Sequence, residues 1–262
     1  DSKSAAARRA SSSLAAGTTS QHHCRDPSMP SLPPVTKALL LICTAVFCLQ
    51  QVAPFLDTLL ALWPITSGRF WPWQLGTYAF LHGSFEHLLF NMLGLWMFGA
   101  ELEMLWGQKR YMQMLGASVL AAAVAQLIVT FLMGSFAATI GASGALYGLL
   151  LAYALMFPNR RFDLVGFLPM LFLMAPSQIL NLVGMALFVM LMTNRNAVPV
   201  PPMPIPAKAM VAIYGGIELL MGVFFRSSGV AHFAHLGGML GAWLVIQYWR
   251  GRLPLGGGPR RR

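Results

Sequence analysis

Charge is what this sequence has least of. Of its 262 residues only 10% are Asp, Glu, Lys or Arg, against roughly 25% in a soluble globular domain, which excludes an ordinary water-soluble enzyme. Acidic residues number 8, and charge is absent altogether from 38–56, 111–159, 164–194 and 227–249. A helix that crosses the hydrocarbon core needs about 20 apolar residues, so these runs describe an all-α polytopic membrane protein. Cysteine is scarce as well. Cys24, Cys43 and Cys48 are odd in number and lack metal-ligand spacing, so neither a disulfide framework nor a metal centre is implied. No basic stripe interleaved with exposed aromatics accompanies the net charge of +10, which removes nucleic acid as a partner. The basic residues lie instead between apolar segments, where cytoplasmic loops carry them.

Residues 1–35 form an N-terminal segment that reads as disordered or as an extension. Residues 1–28 are rich in Ala, Ser and Arg with no apolar core to bury, and Met29 reads as a natural start. His22, His23 and Cys24 in such a segment are not expected to bind metal. A single membrane domain is expected over 36–250 and a basic cytoplasmic tail over 251–262. Apolar segments run over 38–60, 87–106, 111–133, 142–157, 164–193, 207–225 and 230–249. If 164–193 does not reverse the topology, 16 basic residues fall inside and only Arg69 and Arg226 outside; one uncompensated crossing there changes the split to 10 and 8. Charge bias therefore favours six spans with both ends cytoplasmic. In this scheme 164–193 is an extra apolar insertion between the fourth and fifth spans, re-entrant or interfacial, interrupted at Pro169, Pro176 and Gly184. A competing scheme makes 164–193 the fifth span and leaves 207–225 outside.

The second, fourth and sixth spans then share one direction, and their N-terminal ends share one depth below the outer face. Polar residues gather there. His87 and Asn91 stand four apart on one helical face, Gly141-Ala142-Ser143-Gly144 opens the fourth span, and Ala231 to Gly238, with His232 and His235, opens the sixth. Strongly polar residues within a membrane are costly and point to function. A serine, a histidine and further donors at one depth are the parts of an acyl-transfer site.

These three motifs, HxxxN, GxSG and AHxxG in that order, resemble those of the rhomboid intramembrane serine proteases, bacterial type, over most of 36–161 and 205–249. His82, five residues before His87, and Glu103 near the inner end of the second span also match that pattern. The resemblance implies a six-transmembrane-helix rhomboid-like bundle in which Ser143 is the nucleophile and His235 the general base. His87, Asn91 and the Ser143 amide form the oxyanion hole, with Gly141, Tyr147 and Gly238 in support. It implies a serine-type endopeptidase with no cofactor and no metal, cleaving transmembrane segments of membrane proteins within the lipid bilayer. The expected location is a multi-pass position in a bacterial cytoplasmic membrane, with the site near the outer face. The alternative is a catalytically inactive rhomboid-like protein that binds transmembrane clients.

Other residues carry plainer expectations. Gly144 and Gly148 on the fourth span should face Gly238 and Gly241 on the sixth. His232 reads as packing or solvated, and Glu86 as solvated. Trp63, Phe70, Trp71, Trp73 and Tyr78 read as interfacial anchors. Gln74 stands where the family pattern has arginine after tryptophan, which removes one expected contact of that loop. Glu101, Glu103 and Glu218 are the acidic residues within spans, with no evident partner arrangement, and none lies at the depth of Ser143 on the second, fourth or sixth span.

Overall fold

The computed structural model describes residues 32–173, 178–194, 196, 200–224 and 231–253. The expected disorder over 1–31, the tail beyond 253, and the positions of His22, His23, Cys24 and Pro176 lie outside the described residues.

The first helix, α1 (Pro34–Val52), starts on a proline, whose missing amide hydrogen is no loss in a first turn. Two free amides beyond it, those of Val35 and Thr36, donate to the Glu103 carboxylate at 2.9 and 2.7 Å, and the Thr36 hydroxyl adds a third bond at 2.8 Å. Glu103, 3% exposed, thus caps the helix at its positive end. The expected span 38–60 is in fact two helices: Pro54 disfavours helical backbone at Ala53, and α2 (Phe55–Leu60) follows separately. The loop after it carries the short α3 (Gln74–Thr77). Gln74 is fully buried. It accepts from the Trp63 and Trp71 amides and donates to the Leu59 and Arg69 carbonyls, at 3.0–3.3 Å. The loop therefore has its knot after all, made by an amide that supplies two donors and two acceptors.

Helix α4 (Phe85–Gly94) runs through a π-helical turn (Leu95–Gly99) into α5 (Ala100–Met133). Gly107, at φ 75 and ψ 164, lies in a backbone region essentially reserved for glycine and turns the chain between two rods. Next come α6 (Ser143–Met156), β1 (Arg161–Asp163), α7 (Leu164–Leu173), α8 (Gln178–Thr193), β2 (Pro204–Pro206), α9 (Ala207–Phe224) and α10 (His232–Trp249). The two strands pair antiparallel, Arg161 with Pro206, Phe162 with Ile205 and Asp163 with Pro204. Backbone bonds from Leu164 to Met203 and from Ala207 to Arg160 extend the ladder at both ends. The segment between the strands consequently leaves and returns at one place. Within it, Pro169 and Gly184 do not interrupt helix as expected: Pro169 lies inside α7 and Gly184 inside α8.

Helix α6 is buried on nearly every side, as a central helix should be. Outer helices do the reverse: Leu41, Phe131 and Phe224 are 62–72% exposed, a surface suited to lipid rather than water. Pro34–Val52, Phe85–Met133 and Ala207–Phe224 are long and apolar enough to cross a membrane, and Ser143–Met156 and Ile179–Thr193 are shorter apolar helices. This is an integral membrane protein. The α7–α8 hairpin lies against α4 through Phe188 on Phe90, ring centroids 4.8 Å apart, and the Tyr214 hydroxyl on α9 donates to the Phe167 carbonyl. Between hairpin, α4, α6 and α9 remains an apolar cavity of about 210 Å³.

Candidate active site

Ser143 is the first residue of α6, and what precedes it is tied to the loop after α1. Leu62 and Thr139 exchange backbone bonds, and the Gly141 amide donates to the Tyr78 carbonyl. Tyr78 is therefore no interfacial anchor: it is 2% exposed, and its hydroxyl donates to the Val119 carbonyl on α5. Trp71 and Trp73 do remain exposed, stacked at 5.0 Å. Gly141 has φ +123, and a methyl group there would also meet the His87 ring at 2.7 Å. Only glycine lets the chain turn into α6 so close to that imidazole.

Helix α10 reaches α6 at a crossing made of glycine. A methyl at Gly238 would run into the Gly144 carbonyl. Gly241, expected to share that face, instead turns with Gly237 onto Ala117 and Ala121 of α5, so α10 uses one glycine surface for each neighbour. The close approach brings His235 Nε2 to 2.7 Å from Ser143 Oγ. Tyr147, one turn further along α6, stacks flat on the His235 ring, centroids 4.3 Å apart and planes 7° apart.

From α4, the His87 ring lies beside Gly141, and its Nδ1 accepts from the Gly83 amide at 3.4 Å. Asn91 Nδ2 donates one hydrogen to the His87 carbonyl at 2.8 Å. His82 is 1% exposed and packs edge-on against His87 at 5.1 Å. Burial, and then the His87 imidazole, push its pKa down to about 4. Glu86 is exposed.

The residue that sequence reasoning missed is Glu218 on α9. It is fully buried, and three groups converge on it. His232 Nδ1 lies 2.7 Å from Oε2, His235 Nδ1 lies 2.9 Å from Oε1, and the Tyr147 hydroxyl donates to Oε1. Two expectations are corrected. His232, 3% exposed, is not solvated, because the carboxylate beside it replaces water; and the acidic residues within spans do have partners. Glu101 accepts from Tyr153 Oη at 2.7 Å and pairs with Arg160 at 2.6 Å. The available signal was Glu218 itself, a carboxylate in an otherwise apolar span, which must find donors. Glu218, His232 and His235 hold ligand atoms within 4.8 Å of one another, a set that could take a metal ion, but the His232 hydrogen bond and the His235 ion-pair contact already account for the spacing.

Residues 69–187 match the rhomboid domain model. A stretch of 121 residues is 34% identical to the rhomboid protease GlpG of Klebsiella pneumoniae, covering 45% of this chain and 41% of that protein. The presenilin-associated rhomboid-like protein, mitochondrial, of Homo sapiens is 29% identical over 222 residues, 80% of this chain and 48% of that one. Rhomboid protein 1, mitochondrial, of Saccharomyces cerevisiae is 34% identical over 91 residues, 34% of this chain and 26% of that one. The chain spans less than half the length of these curated relatives.

Proposed function

The chain belongs to the rhomboid family, and on that premise we propose that it is an intramembrane serine endopeptidase cleaving transmembrane segments of membrane proteins. The observation that carries this reading is the 2.7 Å contact between Ser143 Oγ and His235 Nε2 at the buried ends of α6 and α10. The domain match ends at 187, before His235, so it is this contact that ties α10 to the serine. His235 takes the Ser143 proton as Oγ attacks the scissile carbonyl, then returns it to the leaving amine as the C–N bond breaks. Water repeats the cycle on the acyl-enzyme. The developing oxyanion is received by the Ser143 amide at the start of α6, the second Asn91 amide hydrogen and His87.

For Ser143 and His235 to meet, α6 and α10 must enter the membrane from one side. The β1–β2 ladder supports six spans with the α7–α8 hairpin as a returning insertion, and the basic-residue bias supports cytoplasmic ends. A bacterial cytoplasmic membrane fits this arrangement. Treating the full chain with a serine-reactive fluorophosphonate, beside Ser143→Ala and His235→Ala, tests the assignment. Label on Ser143 and cleavage of a model transmembrane substrate are expected only with both residues present, since nucleophile and base act as a unit. Undiminished cleavage by Ser143→Ala refutes the protease, and a folded wild type that neither labels nor cleaves is the inactive client-binding relative.

A further inference from the structure

We propose that Glu218 is a positioning residue for this reaction: from α9 it selects the His235 tautomer that can accept the Ser143 proton and stabilises the imidazolium that results. The proposal rests on the reading of Ser143 and His235 as nucleophile and base.

An uninterrupted line of contacts carries it. Glu218 Oε1 is 2.9 Å from His235 Nδ1, and His235 Nε2 is 2.7 Å from Ser143 Oγ. The approach at Nδ1 is an ion-pair distance whose angle falls short of a straight hydrogen bond, a geometry that can tighten as the ring gains charge. A carboxylate offers only acceptors, so the neutral imidazole facing it keeps its hydrogen on Nδ1 and leaves a lone pair on Nε2. With no acceptor there the opposite tautomer opens up, and it cannot take the serine proton. As Oγ attacks, the proton passes to Nε2 and the ring becomes cationic beside a carboxylate that stays ionised throughout. Glu218 itself gains and loses no proton.

A merely structural tie between α9 and α10 would need only His232, which holds Oε2. Tyr147 does more than fill space: its ring lies flat on the His235 ring while its hydroxyl donates to Glu218 Oε1, so one side chain fixes both the imidazole plane and the carboxylate. The titratable groups facing His235 are Glu218 from α9, Tyr147 from α6, His232 from α10 and His87 from α4. Glu218 alone among them is an anion, and its fully buried site leaves that charge little screened.

The test uses the purified full chain in liposomes, with cleavage of a transmembrane substrate followed against pH for wild type, Glu218→Gln and Glu218→Asp. Glu218→Gln should lower kcat by about 100-fold with little change in KM, and its acid limb should move to lower pH because the cationic ring has lost its counter-charge. Glu218→Asp keeps the charge on a shorter stem; it should recover part of kcat and restore the wild-type acid limb. A Glu218→Gln enzyme with wild-type kcat and pH profile overturns the proposal. If that variant does not fold, the ¹⁵N shifts of His235 in the wild type decide: hydrogen on Nδ1 is expected, and a neutral ring protonated on Nε2 overturns it. A wild type without cleavage or serine labelling fails the protease reading instead, and the tautomer measurement still reports on Glu218.

Discussion

Asn91 has two amide hydrogens and uses one, on the His87 carbonyl of its own helix. Its side chain is thereby fixed, and in the proposed reaction the second hydrogen would receive the charge that develops on the carbonyl. A donor that acts on the transition state should be felt in rate more than in binding. Asn91→Ala is expected to lower kcat by about 100-fold or more at a nearly unchanged KM, while fluorophosphonate labelling of Ser143 slows without vanishing. Equal loss of labelling, turnover and thermal stability would make Asn91 a fold-holding residue. That His87, Ser143 and His235 would come near one another was legible in the sequence, because each sits in a short motif near a helix end. Glu218 was not, because its partners lie on α6 and α10, 71 and 14–17 residues away, and no spacing rule along α9 links it to either. A search for partners of every intramembrane carboxylate would have found the question, though not its answer.

Helices were legible as apolar runs, but where they end depends on single residues. Pro54 splits the first run, Gly107 splits the long α5, and Pro169 leaves α7 intact. Proline in a helix gives up one backbone bond and crowds the preceding turn, yet α7 continues through it. Which glycines matter was equally hidden, because facing sides are set by rotation about the helix axis. The contrast between Gly238 and Gly215 makes this measurable. A methyl at Gly238 would meet the Gly144 backbone, which cannot move aside, whereas one at Gly215 would lie 3.6 Å from the flexible end of Met239. Gly238→Ala should destabilise by about 3 kcal/mol and uncouple His235 from Ser143, while Gly215→Ala should be neutral or slightly stabilising, since alanine is the better helix former. Thermal unfolding in detergent distinguishes them, and equal melting temperatures would rule out the close α6–α10 crossing.

At the scale of the whole molecule, the proposed sidedness rests on charge and on one small ladder. The sequence carries the charge bias openly: five basic residues up to Lys37, pairs at Lys109–Arg110 and Arg160–Arg161, and five more from Arg250 onward. The return of the insertion, expected from that bias alone, has no mark of its own in the apolar pattern. An apolar run has no direction, and a Pro-Ile-Pro strand shows none of the alternation that marks an edge. Tertiary pairing supplies what pattern lacks: with Asp163 opposite Pro204, the chain at the end of α8 must come back to where α7 began. Asn159 and Asn194, both exposed, flank the hairpin on its two sides and should therefore face the same compartment. The inference is testable once Cys24, Cys43 and Cys48 are replaced. Cysteines introduced one at a time at Asn159 and Asn194 should react only with a thiol reagent that enters the cytoplasm, and one at Glu86 only with a reagent outside. Reaction of Asn194→Cys from outside, with Asn159→Cys still inside, would make the insertion a crossing. Unless a later segment compensated, α10 would then enter from the wrong face, leaving His235 about 30 Å of hydrocarbon away from Ser143. The 2.7 Å contact between them is what the proposed return of the hairpin accounts for.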